Sequence, residues 1–471
     1  MLYLRLNTKK NMRSCIFFFF EVYCSCREDE GMLKRKALLQ LKKWKEAGEK
    51  KSLIVSGARQ VGKTYIVREF GKEFGSFIDL NFLEQPDLCR IFKGNLDPDT
   101  ILMGIRLSRP EANVIEGDTL LFLDEIQECP EAITALKFLA ADPRLTVVAS
   151  GSALGIDYNR VTSYPVGYVS YLEMTALDFE EFLWAMHVGD DIIEHIREHF
   201  ESLTPVEEVL HDRFMQLFRQ YMVLGGMPEV LNAFLEKKDF HAAWETQKRI
   251  YRDYLADIAR FASPAEKLKA ERCYRSIPAQ LMKDNHKFQY GVVEKKGTAR
   301  KFESSVDWLL SAHMSVSVKN TGFVEYPLQL HEIDDSFRLY PSDIGLLICT
   351  FDFSLVKAIL ADDSEDMTDS LILKTAKGGL YEAAIADILT KSGHRDLHFY
   401  RNEGGTAEME FLLEGEAGVV PVEVKAGRKK AKTLDNLLKK EDIRKGYKLA
   451  AQNIGAVDKK ITLPLYMALW L

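Results

Sequence analysis

A chain of 471 residues is longer than one hydrophobic core usually supports, so about three domains are expected. Its 63 Lys and Arg against 70 Asp and Glu leave a net charge of -7, which excludes a globally basic surface and confines any nucleic-acid contact to a local patch. With 46% hydrophobic and 28% charged residues the make-up is that of an ordinary globular protein.

Residues 1–31 begin the chain with Cys15, Cys24, Cys26 and the apolar run Ile16–Phe20, which Glu21 interrupts and Arg27-Glu28-Asp29-Glu30 follows. The run is shorter than the ~18 apolar residues a span needs, so neither a transmembrane helix nor a signal peptide is expected, and no membrane partner. Met32 precedes the first amphipathic pattern, so this stretch reads as an extension outside the fold or as a misplaced start. The seven cysteines contain no C-x-x-C pair, and Cys89, Cys129, Cys273 and Cys349 stand singly, as reduced thiols of a cytoplasmic protein would.

Lys34–Lys51 has helical spacing and leads into the apolar strand Leu53-Ile54-Val55. Gly57, Ala58, Arg59, Gln60, Val61, Gly62, Lys63 and Thr64 then match G-x-x-x-x-G-K-[ST], a loop whose backbone N–H groups and following helix N-terminus suit a polyphosphate. ATP is the expected ligand. Tyr65–Phe74 reads as the helix and Ser76–Asn81 as a second strand. The run Thr119–Leu123 ends in Asp124 and Glu125, where a buried parallel strand would deliver carboxylates to the phosphates. Asp124 is expected to hold Mg²⁺ with the Thr64 hydroxyl, Glu125 to orient and deprotonate water, and Lys63 to neutralise phosphate charge. A further strand, Leu145–Ala149, ends in Ser150-Gly151-Ser152, with Ser150 ahead of Ser152 as a γ-phosphate sensor or, equally, a turn without a role.

Glu207–Lys238 and Ala242–Phe261 carry helical spacing, punctuated by Gly225-Gly226 and Pro228, and form an expected helical subdomain. Three short helical stretches between Ala265 and Ser317 precede alternating residues at Val316, Val318, Phe323, Phe337, Leu339 and Tyr340. This pattern fits a winged helix, and Lys283, Lys287, Lys295, Lys296, Arg300 and Lys301 would serve either DNA phosphates or a solvated face.

An acidic loop at 362–366 reads as a linker. Beyond it come a helix with Glu382, a strand Leu397–Arg401, and two strands whose alternation puts Glu408 with Glu410, and Glu423 with Lys425, on single faces. Two carboxylates on adjacent strands with a neighbouring lysine suit Mg²⁺ and a scissile phosphate; the plainer alternative is a solubilising edge hairpin. From Lys425 to Lys448 ten basic residues stand against three acidic, either a nucleic-acid patch or a lysine-rich surface.

These pieces together resemble the prokaryotic AAA-type P-loop ATPases whose C-terminal half is an uncharacterised domain of restriction-endonuclease-like character. The carriers are GARQVGKT, LLFLDEIQECP, ASGSALG, Leu172–Leu183, Tyr221–Glu229, Phe337–Leu347 and Val422–Gly427. The resemblance implies an α/β fold: a P-loop NTPase parallel sheet over 32–175, a helical lid over 176–262, a winged-helix-like region over 263–361 and a small nuclease-like domain over 362–471. It aligns Glu382, Glu410, Glu423 and Lys425 with a PD-(D/E)xK site, Glu410 standing where an Asp is usual. Many relatives place Gly-Arg after the sensor strand; this chain has Pro165-Val166-Gly167-Tyr168, so an arginine finger comes from a neighbouring subunit or the ATPase is weak. Three functions stay open: an ATPase driving a DNA-contacting output domain, an ATP-dependent nuclease, and a non-hydrolysing nucleotide switch. Oligomeric state is undetermined.

Overall fold

The computed structural model describes residues 33–151, 165–263, 265–283, 285–361, 371–402, 404, 407–415, 418–425 and 432–471. Residues 1–31, Ser152, the acidic loop at 362–366 and Arg428–Lys430 lie outside them.

The first sheet joins β1 (Ser52–Ser56), β2 (Ser76–Asn81), β3 (Thr119–Asp124), β4 (Leu145–Gly151) and β5 (Val169–Glu173) in the order β2-β3-β4-β1-β5, all parallel. All six residues of β3 are buried, as a central parallel strand covered on both faces requires. Helices α1 (Lys36–Ala47), α2 (Lys63–Gly71), α3 (Pro98–Ser108) and α4 (Pro130–Leu139) accompany it. Leu80, Leu121, Leu123, Val147 and Ala149 share a core with Phe82, Phe92, Ile101, Ile105 and Leu136. This is the α/β arrangement of a P-loop NTPase, with the loop after β1 and the acidic end of β3 on the same edge. Helix α2 starts two residues before the expected Tyr65, at Lys63.

Five helices follow: α5 (Phe179–Ala185), α6 (Asp190–Ser202), α7 (Glu208–Leu224), α8 (Pro228–Lys237) and α9 (Phe240–Phe261). Asp178 and Glu181 form a reciprocal capping box at the start of α5. Gly225, at φ +66°, ends α7, and Pro228 opens α8.

Next come α10 (Lys267–Leu281), α11 (Tyr290–Val293), α12 (Ala299–Ser311), β6 (Ser315–Thr321), β7 (Glu332–Pro341), α13 (Ile344–Ile348), α14 (Phe353–Leu360) and α15 (Leu371–Lys391). The chain ends with β8 (Leu397–Arg401), β9 (Glu408–Gly415), β10 (Gly418–Lys425), α16 (Lys432–Leu437), β11 (Gly446–Ala450), β12 (Gly455–Val457) and β13 (Lys460–Pro464). Strand β6 pairs antiparallel with β7 and parallel with β8, so the hairpin expected as a wing belongs to one eight-stranded sheet, ordered β12-β13-β11-β10-β9-β8-β6-β7. The physical reason is that β6 uses both of its hydrogen-bonding edges, leaving β7 rather than β6 as the sheet's border.

A buried ionic network fastens α7, α15 and the turn after β7 together. Lys391 Nζ lies 2.9 Å from Asp343 Oδ2 and 2.9 Å from Asp387 Oδ1, with all three side chains at most 2% exposed. The Tyr221 hydroxyl donates to Asp387 at 2.6 Å, and the Gly226 N–H donates to Asp343 Oδ2 at 2.7 Å. Burial pushes the Asp387 carboxyl up to about 6 although Lys391 opposes it. Replacing Asp343 by Ala strips Lys391 of one counter-charge and Gly226 of its acceptor. Urea denaturation of Asp343→Ala is expected to show a loss of about 3–5 kcal/mol, and Asp343→Asn, which keeps an acceptor, a smaller one.

Candidate functional site

The loop after β1 is shaped by two glycines. Gly57 sits at φ +146°, and a Cβ there would lie 2.0 Å from the Met174 carbonyl oxygen, so the loop runs flush against the segment leaving β5. Gly62, at φ +96°, is the N-cap of α2, whose start has no side-chain cap. The N–H groups of its first turn are thereby open to an anion. Lys63 Nζ donates to the Gly57 and Ala58 carbonyls at 3.0 and 2.7 Å, folded over its own loop. Burial pushes its pKa down to about 8, against the pull of Glu125 and Asp124.

Asp124, 1% exposed at the end of β3, is the convergence point. Its carboxylate accepts from Thr64 Oγ1 at 3.0 Å, Asn81 Nδ2 at 3.1 Å, the Glu125 N–H at 3.1 Å and the Ser150 hydroxyl. A buried carboxylate beside a threonine hydroxyl is a hard oxygen donor set of the kind Mg²⁺ takes, so these residues fit the ion. Glu125 lies in the left-handed region at φ +51°, and Gln127 Nε2 donates to its carboxylate. The structure thus brings Lys63, Thr64, Asp124, Glu125 and Ser150 to one place.

Two clamps hold the loop from outside. Arg35 donates to the Val61 carbonyl at 2.8 Å and to the Thr175 carbonyl at 2.7 Å, and its Nε lies 3.2 Å from Glu181. On the other side, Arg59 Nη1 meets Asp257 at 2.6 Å, Gln60 donates to Asp253 at 3.0 Å, and the Tyr254 hydroxyl donates to the Arg59 carbonyl at 3.0 Å. Sequence reasoning gave no role to Asn81, Gln127, Arg35 or these α9 residues. Asn81 carried a readable signal, a polar residue ending the strand beside β3, where it is in register with Asp124. The clamps carried none, their partners being 140 and 198 residues away.

At the C-terminal sheet, Glu410, Glu423 and Lys425 come together. Val422 pairs with Phe411, so Glu423 and Glu410 lie one residue beyond that pair on β10 and β9. Lys425 Nζ is 2.7 Å from Glu423 and 3.1 Å from Glu410. Burial pushes the Glu410 carboxyl up to about 7, with Glu382 and Glu423 adding to the rise and Lys425 opposing it. Its Oε2 is buried and receives no hydrogen bond from the described residues. Glu382 is turned to other partners: Arg338 Nη1 at 2.5 Å, His286 Nδ1 at 2.7 Å and the Tyr340 hydroxyl. Burial alone would raise its pKa, but Arg338 and His286 hold it at about 2. Arg338 also donates to Glu408 and packs 4.2 Å from the Phe399 ring centre. Among the described residues, Glu382, Glu410 and Glu423 do not form a cluster of three ligands placed to share one ion. Arg338 and His286 were not singled out as site residues by the sequence.

Residues 49–183 match the family of an AAA domain, and residues 215–356 and 377–465 match two domains of unknown function. A search of curated proteins finds no match. Among solved structures, a Walker-type ATPase of Pyrococcus abyssi is similar at 13% identity over 68% of this chain and 96% of that one, with a TM-score of 0.41. The Aeropyrum pernix ORC1 protein, solved in complex with DNA, is similar at 14% identity over 71% of this chain and 94% of its own, with a TM-score of 0.28. Residues 49–183 thus carry an AAA-type domain with its P-loop at Gly57–Thr64. Among the described residues no helix is long and apolar enough to cross a membrane.

Because Glu382 titrates at about 2 when folded, against 4.5 ordinarily, it adds stability that is present above pH 4.5 and is lost as pH falls toward 2. The difference amounts to about 3 kcal/mol. Thermal unfolding followed from pH 7 to pH 2 is expected to show a shallower acid fall in Glu382→Gln than in the parent.

Proposed function

We propose that the protein binds MgATP at Gly57–Thr64 and hydrolyses it, passing the state of the site to the lid and the C-terminal sheet. The observation that carries this reading is the Asp124 carboxylate, held by four donors beside Glu125 at the mouth of the loop. Lys63 would exchange the Gly57 and Ala58 carbonyls for phosphate oxygens, for which an ammonium is the better partner. Thr64 and Asp124 would hold the metal, whose charge offsets that of the phosphates. Glu125, positioned by Gln127, would orient a water molecule and take its proton. Ser150, already bonded to Asp124, would register the γ-phosphate. The loop's clamp on α9 through Arg59, Gln60 and Tyr254 supports transmission to the lid.

A DNA client rests on the basic residues around α11 and β11, and a cytoplasmic setting fits the free thiols of Cys89, Cys129, Cys273 and Cys349. The second reading, an ATP-dependent nuclease at Glu410, Glu423 and Lys425, is favoured by the unpartnered Glu410 oxygen. Against it stands Glu382, whose oxygens Arg338, His286 and Tyr340 occupy. A non-hydrolysing switch would use the same loop without Glu125.

Three variants separate these readings. Glu125→Gln is expected to bind ATP as the parent does while phosphate release falls by roughly 100-fold or more. Lys63→Ala should lose ATP binding in an equilibrium titration; unchanged affinity would remove the loop from the site. Metal-dependent DNA cleavage abolished by Glu423→Ala would favour the nuclease.

A further inference from the structure

Helix α6 carries His195 and His199 one turn apart, which puts both imidazoles on a single face. Their rings meet edge to face, with centroids 4.8 Å apart. At Leu203, φ +53°, the chain reverses, and Glu207, the N-cap residue of α7, returns over that face. Its Oε2 lies 3.4 Å from His195 Nε2 and 3.6 Å from His199 Nε2, and the three ligand atoms all fall within 4.8 Å of one another.

The second ring nitrogen of His199 decides what these atoms do. His199 Nδ1 lies 2.9 Å from Thr204 Oγ1 and 3.3 Å from the Thr204 carbonyl oxygen. The carbonyl can only accept, so it favours the tautomer with the proton on Nδ1, in which Nε2 keeps its lone pair. That lone pair faces a carboxylate, and a cation held between the two would suit both. A backbone carbonyl on Nδ1 is also the usual way a metal-binding histidine is oriented. The spacing agrees. Charge-assisted N–H···O contacts close to about 2.7–2.9 Å, whereas neighbouring ligands around a tetrahedral ion bonded at about 2.0–2.1 Å stand about 3.4 Å apart.

We propose that His195, His199 and Glu207 form a binding site for a divalent transition metal, with Zn²⁺ the best match. Two imidazoles and one carboxylate select zinc-like ions over Mg²⁺ or Ca²⁺, which take all-oxygen sets. His195 and Glu207 are 44% and 58% exposed, so water completes the coordination. The site's placement gives it a structural consequence. Val206, beside Glu207, exchanges both backbone groups with Asn453, at 3.0 and 2.6 Å, and Phe200 of α6 packs 5.8 Å from Trp470. An ion here would staple α6 to a turn that is itself anchored on the C-terminal sheet.

The test uses the full chain, stripped with a chelator and free of nucleotide, titrated with ZnCl₂ against a chromophoric competitor and, separately, with MgCl₂. One equivalent of zinc is expected to bind and to raise the melting temperature, with Mg²⁺ doing neither. His195→Gln, His199→Gln and Glu207→Gln should each weaken zinc by roughly tenfold or more while leaving the metal-free melting temperature unchanged. Substituted Co²⁺ should give the intense visible band of a tetrahedral site in the parent alone. Zinc that binds the His195→Gln/His199→Gln double variant as tightly as the parent sits elsewhere and overturns the proposal, as does a parent that binds no equivalent.

Discussion

The ammonium of Lys391 has no water to turn to, and much of the architecture follows from supplying it with Asp343, Asp387 and Tyr221. A buried charge is tolerated only when its partners are placed well, so the elements that carry them, α7, α15 and the turn after β7, have little freedom to separate. The glycines around the network record the same constraint. A Cβ on Gly225 would fall 2.1 Å from Asp343 Oδ1, and one on Gly345 would fall 2.6 Å from the Leu224 carbonyl oxygen. Phe179 and Phe182 pack their rings 5.3 and 5.2 Å from that of Tyr221, which covers it with an apolar wall.

The same region reaches the phosphate loop through α9. Gln247 donates to the Val223 and Leu224 carbonyls at 2.8 and 2.9 Å, which fixes α9 to the end of α7. Ten residues later Asp257 holds Arg59, a helical distance of about 15 Å. A rigid helix pinned at one end to the buried network and at the other to the nucleotide loop is the physical basis of the proposed transmission. Arg35 adds a second route, joining Val61 to Glu181 of the α5 capping box.

The sequence was most readable where structure is local. Thr119–Asp124 and Ser76–Asn81 were legible as strands because unbroken apolar or alternating runs ended at a polar residue. The α7–α8 turn was legible from its Gly-Gly and Pro. Strand β5 was not, because its residues are only partly buried and Tyr171 is 57% exposed, so the edge strand shows no apolar run. The shared second sheet was hidden for another reason: β6 pairs with β8 in the register Val318 to Leu397, across the boundary between two expected domains. Arg35, Arg338 and Lys391 look in sequence like solvated cations, and only the fold reveals that each is buried and paired with carboxylate. The loop, Thr64, Asp124, Glu125 and Ser150 could be named from pattern alone; Arg35, Gln127 and the α9 residues that brace them could not.

Hydrogen exchange on the full chain, with Glu125→Gln used to retain ATP, tests the proposed connection most directly. The account predicts that MgATP slows exchange in the phosphate loop and also in the last turns of α9, at Gly225 and Gly226, and at Asp343 to Gly345. Protection confined to Gly57–Ile66 and the ends of the first sheet would contradict it.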